Sequence, residues 1–348
     1  MSEHVRTALT TIVDGGTLTL EEASLAMGAV MDGDATPAQL AALLMGLRMR
    51  GETVDELAGF ATAMRERVVR VEAPEGAIDV VGTGGDGSGT FNISTAAALV
   101  VAAAGVPVAK HGNRAITSKS GSADVLDALG IRIDHDAASA SAAMTAHGFA
   151  FLFAPNFHPA MRHAAPTRRE IGVRTAFNLL GPLTNPAGTR RQLLGVGDER
   201  AARRFAEVVH RLGTDRTLVV HGAGVDELPL DGTGVMYEVT ADGVEQRFVD
   251  AVALGLRATA TSRLAGGDAA TNARYVEAVL RGEPGSRRDV VVLNAGAAFL
   301  AAGVVDTLEA GLERAALTID SGLSAELLAN LRAERRAAAA PAGTGLPG

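Results

Sequence analysis

The sequence contains no cysteine. That removes disulfides, thiolate nucleophiles and Cys-ligated zinc or iron–sulfur sites, and it points weakly to a reducing compartment. Uninterrupted apolar runs of membrane-spanning length are missing too. The first ten residues, MSEHVRTALT, lack the basic patch and apolar core of a leader. A cytoplasmic protein, neither secreted nor membrane-bound, is expected. Positive charge is also in short supply, with 32 Lys and Arg against 40 Asp and Glu, a net charge of −8. Gripping a nucleic-acid backbone requires an excess of cations, so that role is disfavoured. A small anionic ligand needs only two or three well-placed ones.

What remains is ordinary globular material: 348 residues, 47% hydrophobic and 21% charged, enough for a large core and by length two domains. Residues 1–70 read as helices only, with apolar residues three and four apart in LEEASLAMGAVMDG, TPAQLAALLMGLRMRG and TVDELAGFATAMRERV. Thr36-Pro37 should open one helix and Gly51 close it. The stretch VEAPEGA, 71–77, is the expected linker and a hinge candidate.

From Ile78 short β-rich runs alternate with Ala-rich helical segments: IDVV, VPVAK, FAFLFA (149–154), QLLGV (192–196), RTLVVHG (216–222) and DVVVLNA (289–295). GVMYEVTADGVEQRFVD reads as a late antiparallel pair. The expected fold class is α/β: a small N-terminal helical domain, with helices from about 165–185 as candidates to join it, and a large domain over 78–336. The large domain should hold a mixed, mostly parallel sheet covered by helices. The Ala, Pro and Gly-rich tail 337–348 is expected to be disordered. Ligands of such sheets gather beyond the carboxyl ends of the strands.

One such loop, Gly82 to Gly89, packs five glycines into eight residues between a strand and a helix. Glycine loses much backbone entropy on folding, so this density implies positive φ or close approach to a ligand, and a phosphate cradle fits the context. The loop has no Gly-Lys-Ser/Thr ending, so it is not a Walker A motif. Gly82, Gly84 and Gly87 match GxGxxG, but the second strand VPVAK ends in Lys110 rather than a ribose-binding acid, which makes a dehydrogenase a distant alternative. Lys110 is followed by His111-Gly112-Asn113-Arg114, read as a second loop at the same edge, and then by Thr117 to Asp124 with hydroxyls, Lys119 and a helix start. Taken alone, Lys110–Arg114 is as well read as a solvated basic turn. Beside a cradle, these cations suit a ligand with two separated phosphate groups.

GTGGD, NIST, KHGNR and GSAD, in this order and spacing, resemble the donor site of the anthranilate phosphoribosyltransferases, a family that shares its fold with pyrimidine nucleoside phosphorylases. The likeness continues through HPAMRH, RTAFNLLGPLTNP, GVDE, GGD and LNA, covering nearly the whole chain. It implies that Gly82, Gly85, Asp86, Thr90, Asn92, Ile93, Ser94 and Thr95 hold phosphoribosyl diphosphate. Lys110, His111, Gly112, Asn113, Arg114, Ala115, Ile116, Thr117, Ser118 and Ser122 would complete that site. Asp226-Glu227, after RTLVVHG, would ligate magnesium, with the Ser94 hydroxyl on one of two ions.

For the acceptor, the resemblance implies contacts from Gly82 and Asn113, with His111, Pro155, His158 and Gly181 lining the approach. A carboxylate acceptor calls for a cation, and Arg168, Arg169 and Arg174 read as one helical segment on which spacing cannot choose. The family pattern points to Arg168. It also implies a homodimer that contacts through the helical domain, closure of the domains over the substrates, and no nucleic-acid or membrane partner. Departures are small. Thr117-Ser118 replaces the usual Ser-Ser, and Leu228-Pro229-Leu230-Asp231 follows the acid pair where Ser or Thr is commoner. A nucleoside phosphorylase of the same fold and a non-catalytic nucleic-acid-binding relative are the competing functions.

Overall fold

Each of the first four helices begins at a hydroxyl residue. Ser2, Thr19, Thr36 and Thr53 accept backbone N–H bonds at the starts of α1 (Glu3–Val13), α2 (Leu20–Met31), α3 (Pro37–Arg50) and α4 (Val54–Glu66). At the three threonines the bond is returned by Glu22, Gln39 or Glu56, forming capping boxes, and each such cap stabilises its helix by about 1 kcal/mol. Gly51, at φ 91°, closes α3 as its sequence suggests. Glu56 is fully buried, where it pairs with Arg50 and accepts the Leu18 amide at 2.9 Å.

This computed structural model describes residues 1–115 and 119–339. Beyond the helical domain the strands are β1 (Ile78–Gly82), β2 (Val108–Gly112), β3 (Phe149–Phe153), β4 (Arg191–Gly195), β5 (Arg216–His221), β6 (Thr233–Thr240) and β7 (Gly243–Asp250). They form one seven-stranded sheet in the order β3-β2-β1-β4-β5-β6-β7. β3 through β5 pair in parallel, and β6 and β7 add antiparallel at one edge. The fold is therefore the expected one, a small helical domain followed by a mixed, mostly parallel sheet.

Strand alternation assigns the two faces. Leu193, Leu218 and Val220 join a core with α5 (Ile93–Ala103), α12 (Ala269–Leu280), α13 (Ser286–Ala302), α14 (Leu308–Asp320) and α15 (Leu323–Ala339). Leu194 and Val219 face the other way, toward α11 (Glu199–Leu212) and the N-terminal helices. Ala164, Ala176, Phe177 and Leu180, from the segment carrying α9 (Ala165–Ile171) and α10 (Phe177–Leu180), belong to that second core.

Several local expectations are corrected. DVVVLNA is not a strand but the first half of α13, whose residues from Val290 to Ala302 are all buried. Its β-branched run is overridden by packing on every side, and the helix is tied to the acid loop by Asn294, which exchanges bonds of 2.9 and 3.0 Å with the Leu228 backbone. Lys110 lies inside β2, not at its end. α9 stops at Gly172, in the left-handed conformation (φ 66°), so Arg174 is off the helix that carries Arg168 and Arg169. α15 continues through Ala339, into the stretch expected to be a tail, and 340–348 lies outside the described residues.

Candidate active site

Two cavities adjoin at the carboxyl ends of β1 and β2. The more polar one, of about 330 Å³, is lined by every expected donor-site residue that is described, together with Asp226 and Glu227. Ile116, Thr117 and Ser118, also expected there, lie outside the described residues. The second cavity, of about 570 Å³, has walls from Met64, Pro155, Met161 and Phe177 and polar groups from His111, Asn113, His158 and Arg168. Gly82, Thr83, His111, Gly112, Asn113 and Asn178 border both.

The glycine loop is built by positive φ at Gly84, Gly85, Gly87 and Gly89 (62°, 66°, 76° and 64°). It is anchored to the next strand by the Thr83 amide on the Gly195 carbonyl at 2.9 Å, and to the acid loop by the Gly84 amide on Asp226 Oδ2 at 2.8 Å. A Cβ at Gly82 would collide with the Asp226 carboxylate, and one at Gly195 with the Asp226 backbone. Glycine at these positions is what lets the acid loop come so close. Glu227 accepts the Ser94 amide at 2.9 Å, so it sits at the positive end of α5. The Asp86 carboxylate accepts the Ser88 amide at 3.0 Å and the Asp226 amide at 3.3 Å.

Charge in this corner is unbalanced. Burial first, then repulsion from Asp86, pushes the Asp226 carboxyl above its ordinary value. Glu227 is raised further by burial and by Asp226. Lys110 is the nearby cation, but it is buried under the cleft with Nζ donating to the Val80 carbonyl at 2.5 Å, and burial lowers its pKa. Beneath it Asp79, raised to about 6 by burial, accepts Asn185 Nδ2 at 2.7 Å and the His111 amide at 3.3 Å. Lys110, expected beside the phosphates, lines the polar cavity from within β2 rather than from the loop that follows it.

No group of three or more His, Asp or Glu among the described residues converges as a complete metal cage. The acid pair nevertheless suits a hard divalent cation, which commonly takes one or two carboxylates and fills its remaining positions with water and substrate oxygens. A buried and a half-buried carboxylate side by side, under-neutralised, are the observation that favours such an ion.

In the larger cavity Arg168 lies 4.8 Å over the Phe177 ring. Burial lowers its pKa, and this half-buried cation pairs with no carboxylate among the described residues. Arg169 is exposed, on another face of α9. The geometry thus separates the three arginines that spacing did not. His111 Nδ1 is 3.1 Å from the Gly181 carbonyl. A carbonyl only accepts, so Nδ1 carries the proton and Nε2, which has no partner among the described residues, is an acceptor. His158 packs 5.1 Å from His111 and has the same orphaned Nε2. Burial lowers both, to about 3 and about 4, so both are neutral near pH 7.

Sequence reasoning missed Thr83, Asn178, Phe177 and Met64 as lining residues. Asn178 Oδ1 accepts the Thr175 amide at 3.0 Å, which leaves its NH₂ at the border of the two cavities. The motif RTAFNLLGPLTNP contained it, but nothing in the spacing singles it out. Chemically, the pair of cavities offers a polar cradle bordered by an acid pair next to a largely apolar slot that Arg168 lines.

The sequence matches the glycosyl transferase family twice, its helical bundle domain over residues 6–68 and its a/b domain over residues 74–325. The anthranilate phosphoribosyltransferase of Pelotomaculum thermopropionicum is 50% identical over 329 residues, 94% of this chain and 95% of that one. A crystal structure of the anthranilate phosphoribosyltransferase from Thermus thermophilus superimposes with a TM-score of 0.89 at 45% identity, covering 94% of this chain and 99% of that one. The Saccharomyces cerevisiae enzyme, solved in complex with PRPP and Mg, gives a TM-score of 0.87 at 25% identity over 97% of this chain and 99% of its own.

Proposed function

The chain belongs to the anthranilate phosphoribosyltransferase family, and from that premise we propose how its two cavities share the reaction. The enzyme transfers the phosphoribosyl group of PRPP to the amine of anthranilate, giving N-(5-phosphoribosyl)anthranilate and diphosphate, a step of tryptophan biosynthesis. The polar cavity takes the donor and the apolar cavity takes anthranilate. The observation that carries this division is the Arg168 guanidinium, stacked on Phe177 within an apolar slot that shares a border with the glycine loop.

Gly85, Asp86, Thr90 and the start of α5 surround the donor's phosphates. Asp226 and Glu227, with the Ser94 hydroxyl, hold magnesium, two ions per subunit, which when bound neutralises the diphosphate and stabilises it as a leaving group. Arg168 pairs with the acceptor carboxylate through its planar fork. Gly82 and Asn113, on the shared border, receive the amine beside the anomeric carbon. Displacement there proceeds with inversion through a transition state of oxocarbenium character. Negative charge grows on the departing diphosphate, so loop amides and the field of Lys110 supply the stabilisation, and positioning supplies most of the rest.

At the level of the whole molecule, residues 71–77 act as a hinge between the helical and sheet domains. Two copies pair through the helical domain, a reading supported by Val13 and Met49, which stand 81% and 84% exposed there. No helix among the described residues is long and apolar enough to cross a membrane, and the cysteine-free sequence suits the cytoplasm. The test is loss of anthranilate fluorescence on mixing protein, PRPP and Mg2+, each omitted in turn. Loss that needs all of them supports the reading, and no loss in the complete mixture, or phosphorolysis of thymidine instead, refutes it.

A further inference from the structure

Arg174 stands three residues past the end of α9, on the segment that packs with the helical domain, yet its side chain reaches the glycine loop of the sheet domain. Nη1 donates to the carbonyls of Gly84 and Gly85 at 3.0 and 2.8 Å, and Nη2 to that of Gly84 at 3.1 Å. Both glycines have left-handed φ, 62° and 66°. A Cβ on Gly85 would run into the guanidinium.

These bonds sort the loop's dipoles. The carbonyls of Gly84 and Gly85, whose negative ends would repel a phosphate, are capped by a cation. The Gly84 amide is taken by Asp226, while the amides of Gly85, Asp86 and Gly87 find no partner among the described residues. Successive unpaired amides in a turn of this kind form an anion-binding concavity, provided the intervening carbonyls turn away. Arg174 supplies the reason for them to do so.

We infer that Arg174 is a positioning residue for the donor: it holds the Gly84–Gly85 carbonyls outward, so that the loop's free amides face the diphosphate. The inference rests on the polar cavity being the PRPP site. Because the guanidinium comes from the acceptor side of the cleft, it also makes the donor loop's shape depend on where the segment 172–178 sits. Arg174 is exposed, so its removal leaves the cores intact.

The test compares wild type, Arg174→Ala and, as a control on the neighbouring exposed cation, Arg169→Ala. PRPP affinity with Mg2+ is measured by calorimetry, the anthranilate KM at saturating PRPP, and hydrogen exchange of the 82–91 peptide without ligands. In R174A, PRPP binding is expected to weaken about tenfold or more, with the anthranilate KM within about twofold and faster exchange in the loop, while R169A matches wild type. Unchanged PRPP affinity in R174A overturns the inference. Weakened affinity with unchanged loop exchange also overturns it, since Arg174 would then act by touching phosphate itself. Failure of the wild type to bind PRPP would instead refute the assignment of the cavity.

Discussion

Glu227 Oε1 lies 2.9 Å from the Ser94 amide and thereby joins the loop after β5 to the first turn of α5, 133 residues away in sequence. Asp226 makes the matching link to Gly84 at 2.8 Å. The donor cavity thus owes its shape to the same carboxylates that are proposed to hold magnesium, and its properties should follow their ionisation.

Burial raises both acids, helped by Asp86 at Asp226 and by Asp226 at Glu227, so protons compete with Mg2+ for them. Mg2+-dependent PRPP binding should weaken as pH falls from about 8 to about 5.5, and binding near pH 6 should release protons. Calorimetry in two buffers of different ionisation enthalpy measures that release directly. The double variant Asp226→Ala, Glu227→Ala should lose both the release and Mg2+-dependent turnover.

Arg168→Ala removes the half-buried guanidinium that lines the apolar slot. The anthranilate KM should rise about tenfold to a hundredfold, with the PRPP KM little changed. Steady-state kinetics with each substrate varied in turn checks this. An unaltered anthranilate KM would remove Arg168 from the site.

Gly195→Ala places a Cβ on the backbone of Asp226. The acid loop must then retreat, and kcat/KM should fall about a hundredfold or more, as small misplacements of reacting groups do. Far-UV circular dichroism should stay that of the wild type, since the cores are untouched.

His135 is buried away from the cleft and held at about 4 against an ordinary 6.5, chiefly by burial and by Arg132. A histidine lowered in the folded state contributes stability that is complete above its unfolded value and lost as pH falls toward the folded one. His135→Asn should therefore lose up to about 2 kcal/mol less stability than wild type between about pH 7 and pH 5. Urea unfolding at the two pH values measures it.

The sequence was most readable where local rules and packing agree. Thr36-Pro37 and Gly51 bounded α3 correctly because caps are local chemistry. The motif order placed the loop glycines and the acid pair at one sheet edge because strand ends collect ligands. DVVVLNA misled because a helix buried all round has no amphipathic period, and only the length of the apolar run, which continues to Ala302, hinted at a helix. Lys110 was read as a loop cation because the length of β2 is set by its pairing with β3, which extends through Gly112. Arg174 could not be assigned at all, since its partners Gly84 and Gly85 are about 90 residues away and its freedom from α9 depends on a left-handed Gly172. The neutrality of His111 and His158 likewise comes from burial against the 181–184 turn, a tertiary fact.

Mn2+ in place of Mg2+, together with PRPP, gives an anomalous signal that locates the metal in a crystal of the complex. Metal density in contact with the Asp226 or Glu227 carboxylate and with diphosphate oxygens, the phosphates resting on the Gly85–Gly87 amides, is the predicted result. Metal bound elsewhere, or a diphosphate lying outside the space between the glycine loop and the acid pair, would contradict the account.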